Sequence, residues 1–440
     1  MDHGHIVASL QSRWPEHRVA PSLGRIEALC ELLGDPQRSY PVIQVAGTNG
    51  KGSTAIMIEA LLRSLGLRTG RYSSPHLVDL TERIAIDGEP MDASAFDDLV
   101  TETMPLIELV DAQSIDGVPM TFFEVMTGLA FAAFAAAPVD VAVIEVGLGG
   151  SWDASNVVDA DVAVVCPIGL DHTHILGDTL SLIATEKAGI IKEGSVAVAA
   201  DQEPEVMAIL EERCAEVGAR LVREGDGFGV LDRRLAVGGQ LLRLESVGGP
   251  IGDIHLPLYG EHMARNAALA LAAVEAFLGG KAVPPDVIAE GFDSVSAPAR
   301  LEVLRRSPTI VVDTGHNPQA AAATIAGAVE AFNFAPLIGV VAMMADKDVR
   351  GVLETFEPEM NEIVVTQVAS TSRGLPVAEL AEVASEVFGP DRVLQAPTMA
   401  DAIERAVQLA DEAGPGSGIL VAGSVIAAGE ARALLARQGH

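Results

Sequence analysis

Short apolar runs rich in β-branched residues alternate with longer helical stretches along most of the chain. Each run is continuously apolar, which is typical of strands buried on both faces of a parallel sheet. Parallel strands need crossover connections that cover the sheet, so this alternation strongly constrains the fold. The runs are Val42–Ala46, Val139–Glu145, Val162–Val165, Val196–Ala199, Ile310–Asp313, Leu337–Val341, Ile363–Thr366 and Ile419–Ala422.

The chain of 440 residues is long enough for more than one packed domain. A boundary is predicted within Ser294–Arg300, where small residues and a proline interrupt the periodic pattern before a second strand–helix series begins. We therefore expect a first domain over residues 1–295, a linker over 296–300 and a smaller domain over 301–440. Glycine-punctuated pieces within Gly225–Pro257 predict a few antiparallel strands inside the first domain.

The acidic residues number 61 and the basic ones 29, which gives a formal charge of −32. This excess repels nucleic-acid phosphates and anionic bilayers, so we expect the protein to bind neither nucleic acid nor membrane. An anionic ligand must then be held by a local group of cations. Lysines are scarce, so their positions are informative. They are Lys51, Lys187, Lys192, Lys281 and Lys347.

Three cysteines, Cys30, Cys166 and Cys214, are too few and too scattered for a disulfide framework or a cysteine-based zinc site. We expect them to fill core positions in a protein of the reducing cytoplasm. The most apolar stretch, Val125–Val146, is broken by a proline and by carboxylates before it reaches the roughly 20 residues of a membrane span. It predicts a buried helix followed by a buried strand.

A strand, a glycine-rich turn and a helix follow one another from Val42 to Leu65. This order places backbone N–H groups and the positive end of a helix dipole around one anion. We expect Lys51 to contact the β- and γ-phosphates of ATP, and Ser53 or Thr54 to offer a hydroxyl to Mg²⁺. The predicted ATP-binding residues of the turn are Thr48, Asn49, Gly50, Lys51, Gly52, Ser53 and Thr54.

The strict pattern G-x-x-x-x-G-K-[ST] is not matched, because Val45 stands at the first glycine and Gly52 follows the lysine directly. An ordinary glycine-rich turn is therefore the alternative, but a scarce lysine within the turn favours phosphate binding.

The predicted fold class is α/β: a P-loop ATPase domain with a mainly parallel sheet, and a smaller Rossmann-like C-terminal α/β domain.

Glu145 and His172 stand at or just beyond the ends of two of these apolar runs, and Ser74 follows a further strand predicted directly before Ser73. Ligands of open α/β sheets bind beyond the carboxyl ends of strands, so these residues can converge on the glycine-rich turn. Each alone has a structural explanation as a turn residue, a strand end or a loop hydrogen bond. Together they favour Mg²⁺ bridging ATP phosphates, with transfer or hydrolysis of the γ-phosphoryl group as the consequence.

Lys187 follows His172 closely, in a helical stretch, and a cation beside Mg²⁺ is repelled. Three explanations stay open: the Lys187 side chain points away, it neutralises phosphate, or it is chemically modified.

Taken together, these motifs resemble the folylpolyglutamate synthase/dihydrofolate synthase family of the Mur ligase superfamily. The similarity runs almost from end to end of the chain. The segments that carry it are Ser22–Glu27, Gly47–Ser53, Ser73–His76, Glu82–Ile84, Phe123–Glu124, Glu145–Gly150, Gly169–His172, Glu186–Ile190, His262–Asn266, Asp313–Pro318 and Asp346–Asp348.

The resemblance implies an ATP-dependent amide ligase of folate biosynthesis and polyglutamylation. ATP would phosphorylate a carboxylate of dihydropteroate or tetrahydrofolate, and the amine of L-glutamate would attack the acyl phosphate to give the amide, ADP and phosphate. Positioning and charge neutralisation do most of the work in such a reaction. The resemblance further implies only small-molecule partners and a monomer.

The resemblance also assigns roles to residues, beginning with two Mg²⁺ ions. Their ligands would be Ser53, Ser74, Glu145, His172 and a carbamate formed on Lys187. Further ATP contacts would come from Asn266, Arg300, Asp313 and His316. The catalytic residues would be Lys51, His172, Lys187 and Arg300. The substrate would lie against Phe123, Ser151, Trp152 and Asp153.

Two departures from the family pattern stand near this site. The family usually has a basic residue at the position of Ser151, and Pro-Gly-Arg where this chain has Pro298-Ala-Arg300. The Ser151 departure bears on the choice of substrate more than on the use of ATP.

Two other functions are alternatives. Another Mur-type amino-acid ligase would carry an additional N-terminal domain, and the roughly 50 residues before Lys51 are fewer than a typical domain needs. An ATP-binding regulatory protein without ligase activity would arise if the substrate pocket had degenerated.

Overall fold

The computed structural model describes residues 2–15, 18 and 20–438. The outer ends of the two predicted domains, Met1 and His440, lie outside the described residues. The helices are α1 (His3–Gln11), α2 (Gly24–Leu32), α3 (Lys51–Ser64), α4 (Ala93–Ala112), α5 (Phe122–Ala136), α6 (Thr173–Leu176), α7 (Leu180–Lys187), α8 (Pro204–Val217), α9 (Glu261–Phe277), α10 (Pro285–Asp293), α11 (Pro318–Phe332), α12 (Val349–Phe356), α13 (Val377–Phe388), α14 (Met399–Ala413) and α15 (Val425–Gln438).

The strands occupy the short apolar segments between these helices and a few polar ones. They are β1 (Val42–Ala46), β2 (Thr69–Tyr72), β3 (Ile84–Ile86), β4 (Glu89–Pro90), β5 (Val141–Glu145), β6 (Val162–Val165), β7 (Val196–Ala199), β8 (Arg220–Arg223), β9 (Gly229–Ala236), β10 (Gly239–Ser246), β11 (Gly249–Leu256), β12 (Glu302–Arg306), β13 (Thr309–Val312), β14 (Leu337–Val341), β15 (Glu362–Val365), β16 (Val393–Gln395) and β17 (Gly418–Ala422).

Two compact units divide the described chain. The first comprises residues up to 233, 241–255 and 264–295, and the second comprises 234–240, 256–263 and 296 onward. The first unit thus lacks two short stretches that the predicted domain over residues 1–295 includes. The division into domains with a linker over 296–300 stays a prediction.

The sheet of the first unit has eight strands among the described residues, in the order β4-β3-β2-β5-β1-β6-β7-β8. The strands from β2 to β8 in this order are parallel to their neighbours, whereas β3 and β4 pair antiparallel at one edge. At the centre, Val45 of β1 lies between Glu145 of β5 and Val164 of β6. The carboxyl ends of parallel strands meet at one edge, so the loops that follow β1, β2, β5 and β6 come together there.

Helices cover both faces of this sheet. On one face, α2, α4 and α5 bury Leu29, Phe96 and Phe131 against Ile144 of β5. Further along the same face, α7 and α8 pack on Ala163 of β6 and Ala197 of β7. Helix α3 packs on the opposite face, where its Glu59 contacts Thr69 and Arg71 of β2. A strand buried on both sides has no polar face, which explains why the apolar runs in the sequence are continuous.

The second unit has its own sheet, with six strands among the described residues in the order β12-β13-β17-β14-β15-β16. The strands are parallel apart from β12, which pairs antiparallel with β13. Helices α11, α12 and α13 contribute to its core. The insertion of β17 between β13 and β14 is a doubly wound arrangement, so the predicted Rossmann-like fold is confirmed.

The eight predicted strands are all present, and their ends differ from the prediction by at most two residues. The Gly225–Pro257 segment forms β9, β10 and β11, which are joined by two-residue turns that only antiparallel neighbours can use. The three cysteines are buried and free, as predicted. Within the described chain, none of the helices combines the length and the apolar character needed to cross a bilayer.

Candidate active site

The glycine-rich turn leads directly into α3. Gly50 caps this helix with a φ of 88°, a left-handed conformation that favours glycine, and the helix begins at Lys51, within the residues that the sequence assigns to the turn. Lys51, Gly52, Ser53 and Thr54 then form the first helical turn, where the positive end of the helix dipole lies. Ser53 and Thr54 are buried in that turn.

The turn is held in place by the segment that follows β6. The Thr48 and Asn49 amides both donate to Pro167 O, at 2.9 and 3.3 Å. The Thr48 hydroxyl lies 3.0 Å from both Gly169 O and Gly169 N, and Lys51 Nζ donates to Thr48 O at 3.4 Å. The turn is thus fixed by main-chain contacts with the loop that carries His172.

Asn266, at the start of α9, lies against this turn. A Cβ atom at Gly50 would stand 2.8 Å from Asn266 Oδ1, closer than real Cβ atoms approach. The predicted ATP contact Asn266 is therefore brought to the phosphate turn within the first unit.

Replacing Gly50 with alanine is expected to raise the KM for ATP by about tenfold, because the new methyl group must displace either Asn266 or the turn. The matched control is Gly66→Ala. Gly66 has a similar φ of 81°, but no atom lies within 4 Å of the position that a methyl group would take there. Both variants should lose about 1–3 kcal/mol of stability from backbone strain, which thermal unfolding measures. A normal KM for ATP in the Gly50 variant would contradict the contact described.

Glu145 ends β5 beside β1 and is 4% exposed. Its Oε2 accepts the Ser74 amide at 3.3 Å, which joins the loop after β2 to the end of β5. The predicted pair Ser74 and Glu145 is therefore together.

Lys187 is also 4% exposed and points into this edge of the sheet. Its Nζ donates to Gly47 O, the first carbonyl of the phosphate turn, at 2.9 Å. Burial and, after it, the charge of Lys51 lower the pKa of Lys187 to about 7, against the opposing effect of Asp171 and Asp153. Of the three explanations left open by the sequence, that in which the side chain points away is excluded.

The Cys166 thiol marks where these groups converge. It is buried beneath the turn, with Sγ 3.5 Å from Thr54 Oγ1, and burial raises its pKa to about 11. The charges of Lys51, Glu145 and Lys187 all act on this thiol. Direct contacts place the three groups at one turn: Lys187 Nζ donates to Gly47 O, Lys51 Nζ donates to Thr48 O, and Glu145 pairs with Val45 at the end of β1.

His172 caps α6 in a left-handed conformation with a φ of 50°. Its amide donates to Asp171 Oδ1 at 2.8 Å, and the same Asp171 acts electrostatically on Lys187. His172 thus lies on the loop that holds the phosphate turn, next to Asp171, whose charge raises the pKa of Lys187.

The donor set fits Mg²⁺ rather than a metal held entirely by protein. Among the described residues, no three His, Cys, Asp or Glu side chains lie close enough together to hold a metal ion. The predicted set includes Glu145 and His172 of these types, with hydroxyls from Ser53 and Ser74. Mg²⁺ is commonly bound by one or two carboxylates, substrate phosphates and water, so such a sparse, oxygen-rich set suits it.

The predicted substrate residues lie on two segments beside the same edge. The Phe123 ring packs on the loop after β5, since a Cβ at Gly147 would be 2.4 Å from its Cζ atom. Asp153 is buried and accepts the Leu148 and Ser155 amides, both at 2.9 Å. Burial raises the pKa of Asp153. Asp153 thereby shapes the loop.

Ser151 is engaged with a neighbouring side chain. Its hydroxyl lies 2.7 Å from both carboxylate oxygens of Glu186. The sequence interpretation of Ser151 as a direct substrate contact stays a prediction, with the Glu186 contact as its structural context.

In the second unit, Arg300, Asp313 and His316 meet at Thr314. The Arg300 guanidinium donates to Thr314 Oγ1, and His316 Nδ1 donates to Thr314 O at 3.0 Å. Asp313 follows β13 and accepts the Leu301 amide at 3.0 Å, the Gly315 amide at 2.8 Å and the Thr324 hydroxyl at 2.6 Å. These three predicted ATP contacts form one cluster.

Four residues of these clusters were not singled out from the sequence as parts of the site: Cys166, Asp171, Glu186 and Thr314. Asp171, Glu186 and Thr314 are each adjacent in sequence to a predicted site residue. Cys166 directly follows a predicted strand. A carboxylate directly before a scarce lysine was the available signal for Glu186.

Comparisons with known proteins identify the family. Residues 94–274 match the model of the Mur ligase middle domain, and residues 299–425 match that of the Mur ligase glutamate ligase domain. A dihydrofolate synthase/folylpolyglutamate synthase from Mycobacterium tuberculosis is 48% identical over 452 aligned positions, which cover 97% of this chain and 93% of that protein. An Escherichia coli protein with the same name is 35% identical, with 86% of each chain covered.

Solved structures give the same result. The folylpolyglutamate synthase of Mycobacterium tuberculosis complexed with ADP has a TM-score of 0.95 and 47% identity, with 98% of both chains covered. A folylpolyglutamate synthase complex with AMPPCP and folate has a TM-score of 0.87 and 31% identity, with 99% of this chain and 100% of that chain covered.

Proposed function

Since this chain belongs to the folylpolyglutamate synthase/dihydrofolate synthase family of Mur ligases, we propose that it joins L-glutamate to dihydropteroate, to tetrahydrofolate or to both. The protein is an ATP-dependent ligase that forms a carbon–nitrogen bond between an acid and an amino acid. The observation that carries the proposal is the convergence of Lys51, Glu145 and Lys187 at the phosphate turn, where the two lysines contact Thr48 O and Gly47 O and Glu145 pairs with Val45.

The reaction needs a carboxylate to become an electrophile. The substrate carboxylate attacks the γ-phosphorus of ATP, which forms an acyl phosphate and releases ADP. The amine of glutamate then attacks the acyl carbon, the phosphate leaves, and the amine loses a proton. Lys51 begins α3, and its fixed positive charge would stabilise the transition state of phosphoryl transfer.

Ser53, Ser74, Glu145 and His172 are the residues that would hold Mg²⁺, and Lys187 would complete the set for a second ion. When bound, Mg²⁺ neutralises phosphate charge and orients the γ-phosphate. The chain supplies the carboxylate and hydroxyl donors, and Glu145 is oriented by the Ser74 amide.

Lys187 would act as a carbamate. Its depressed pKa makes a large fraction of the amine neutral near pH 7, and only a neutral amine adds to CO₂. The ammonium first loses one proton, and the neutral amine then adds to CO₂, which forms an N–C bond and releases a second proton. The buried cation thereby becomes an anion. That change removes the repulsion between Lys187 and Lys51.

Asn266, Arg300, Asp313 and His316 would contact ATP, and Phe123, Trp152 and Asp153 would border the pterin substrate. We further propose that the protein acts in the cytoplasm as a monomer, on small molecules alone. Its two domains would be the predicted ones, with the linker over residues 296–300.

Purified protein with ATP, Mg²⁺ and L-glutamate tests the function directly. ADP release is expected to require dihydropteroate or tetrahydrofolate, and mass spectrometry should show a product heavier by one glutamate residue. ADP release indifferent to both substrates would instead support an ATP-binding regulatory protein, and activity only with another acid would support a different Mur-type ligase.

Replacing Arg300 with alanine is expected to lower kcat by about 10²-fold, because the variant lacks the positive charge that this proposed ATP contact would supply during phosphoryl transfer. The KM for ATP should change little, since Lys51 and the phosphate turn are intact. Arg306→Ala is the control, because Arg306 is exposed in the neighbouring strand β12. A loss confined to KM would contradict a role in the chemical step.

A further inference from the structure

A single carboxylate, that of Glu186, engages three consecutive residues of the loop after β5. Its Oε1 accepts the Gly150 amide at 3.2 Å and the Trp152 amide at 3.4 Å. The Ser151 hydroxyl lies 2.7 Å from each carboxylate oxygen. These contacts account for the turn that the loop makes before Asp153.

The loop and the end of α7 touch without room for a methyl group. A Cβ at Gly150 would stand 2.9 Å from Lys187 Cα, and a Cβ at Gly189 would stand 2.5 Å from Ser151 Cβ. Asn156 Nδ2 further bridges Ser151 O and Gly189 O, at 3.1 and 3.3 Å. A shift of the loop would therefore shift the main chain of Lys187.

Glu186 affects Lys187 mainly through the position of the loop that contacts the Lys187 main chain, and less through its own charge. The charges of Lys51, Asp171 and Asp153 all influence Lys187 more strongly than that of Glu186. The carboxylate is instead occupied by donors from the loop, which carboxylates accept strongly because they are ionised.

We propose that Glu186 is a positioning residue that sets the Gly150–Trp152 loop and the Lys187 main chain in register, and that Ser151 acts through it. The proposal rests on the proposed function in one respect: it takes Trp152 and Asp153 to border the pterin substrate. The phosphate turn should be little affected, because Pro167 O and Gly169 hold it separately.

The test compares wild type, Glu186→Ala, Glu186→Gln and Ser151→Ala in the full chain, with steady-state kinetics for dihydropteroate and tetrahydrofolate. Glu186→Ala should lower kcat/KM for the pterin substrate by about 10²-fold, with an unchanged KM for ATP. Glu186→Gln keeps one accepting oxygen and should recover most of the loss. Ser151→Ala should fall between them, because the two amide contacts remain.

A second measurement needs no substrate. Amide hydrogen exchange of residues 148–153 should become faster in Glu186→Ala, since the Gly150 and Trp152 amides lose their acceptor. The matched control is Glu205→Ala. Glu205 accepts the hydroxyl of Ser181, another residue of α7, at 2.7 Å, but on an exposed surface, so kinetics and exchange should stay at the wild-type values.

Wild-type kinetics in Glu186→Ala would overturn the proposal. An equal loss in Glu186→Ala and Glu186→Gln, with a matching rise in the KM for ATP and a lower Tm, would also overturn it, because that pattern belongs to general destabilisation. If wild type shows no pterin-dependent turnover, the proposed function fails, and hydrogen exchange alone then decides: unchanged exchange overturns the positioning role and faster exchange supports it.

Discussion

Replacing Lys187 with alanine is expected to lower kcat for glutamate addition by about 10³-fold, with a much smaller change in the KM for ATP. The Lys187 nitrogen is buried, lies 2.9 Å from Gly47 O and has a pKa lowered to about 7. Alanine cannot form a carbamate, so the variant loses an anion beside the ATP phosphates. Bicarbonate with a short amine should restore part of the activity, because a small carbamate fits the space left by the side chain.

Lys192→Ala is the matched control for this variant. Lys192 is a half-buried lysine whose pKa is also lowered by burial, and its Nζ donates to Asn156 O at 2.5 Å and Val158 O at 2.6 Å. Its loss should reduce the Tm and leave kcat near the wild-type value. Near-normal turnover in Lys187→Ala would remove the carbamate hypothesis, as would a kcat in Lys192→Ala that falls equally far.

Much of the fold is predictable because burial on both sides leaves a strong signal in the sequence. The strands β1, β5, β6, β7, β13, β14, β15 and β17 are continuous apolar runs. The missed strands are short edge or peripheral elements, such as β4 (Glu89–Pro90) and β16 (Val393–Gln395). Edge strands bury less and carry polar residues, so their pattern resembles that of loops.

The candidate site is predictable wherever a residue stands at a strand end. The sequence pattern places Ser74, Glu145 and His172 at such ends, and the parallel sheet brings the loops that carry them to one edge. The family resemblance adds Asn266. This residue lies more than 200 residues after Gly50, and the two meet only because α9 packs beside the phosphate turn. Nothing in local periodicity signals such a contact.

The direction of the Lys187 side chain could not be decided from the sequence. Helical periodicity places the residue at the end of α7, but whether its nitrogen reaches Gly47 O depends on how that helix packs on the sheet. Ser151 shows the same limit. Its hydroxyl binds Glu186, 35 residues away, and only the folded chain brings the two together.

Replacing Lys51 with alanine is expected to lower kcat/KM for ATP by about 10³-fold, because the turn loses the point charge that faces the β- and γ-phosphates. Lys51→Arg should recover little of this loss, since a planar guanidinium does not fit the place of an ammonium held at Thr48 O. Lys281→Ala is the control, because Lys281 is an exposed lysine outside the site. Steady-state kinetics and ATP titration of each variant provide the measurement.

The Lys51 variant should also reveal coupling to Lys187. Lys51 is the main charge that depresses the pKa of Lys187, so its removal raises that pKa and leaves less neutral amine at pH 7 to react with CO₂. The two lysines then act as a unit, and the double variant should lose far less than the product of the single losses. If the loss in the double variant equals the product of the two single losses, the lysines act independently. That result would contradict the proposal that the charge of Lys51 sets the pKa of Lys187.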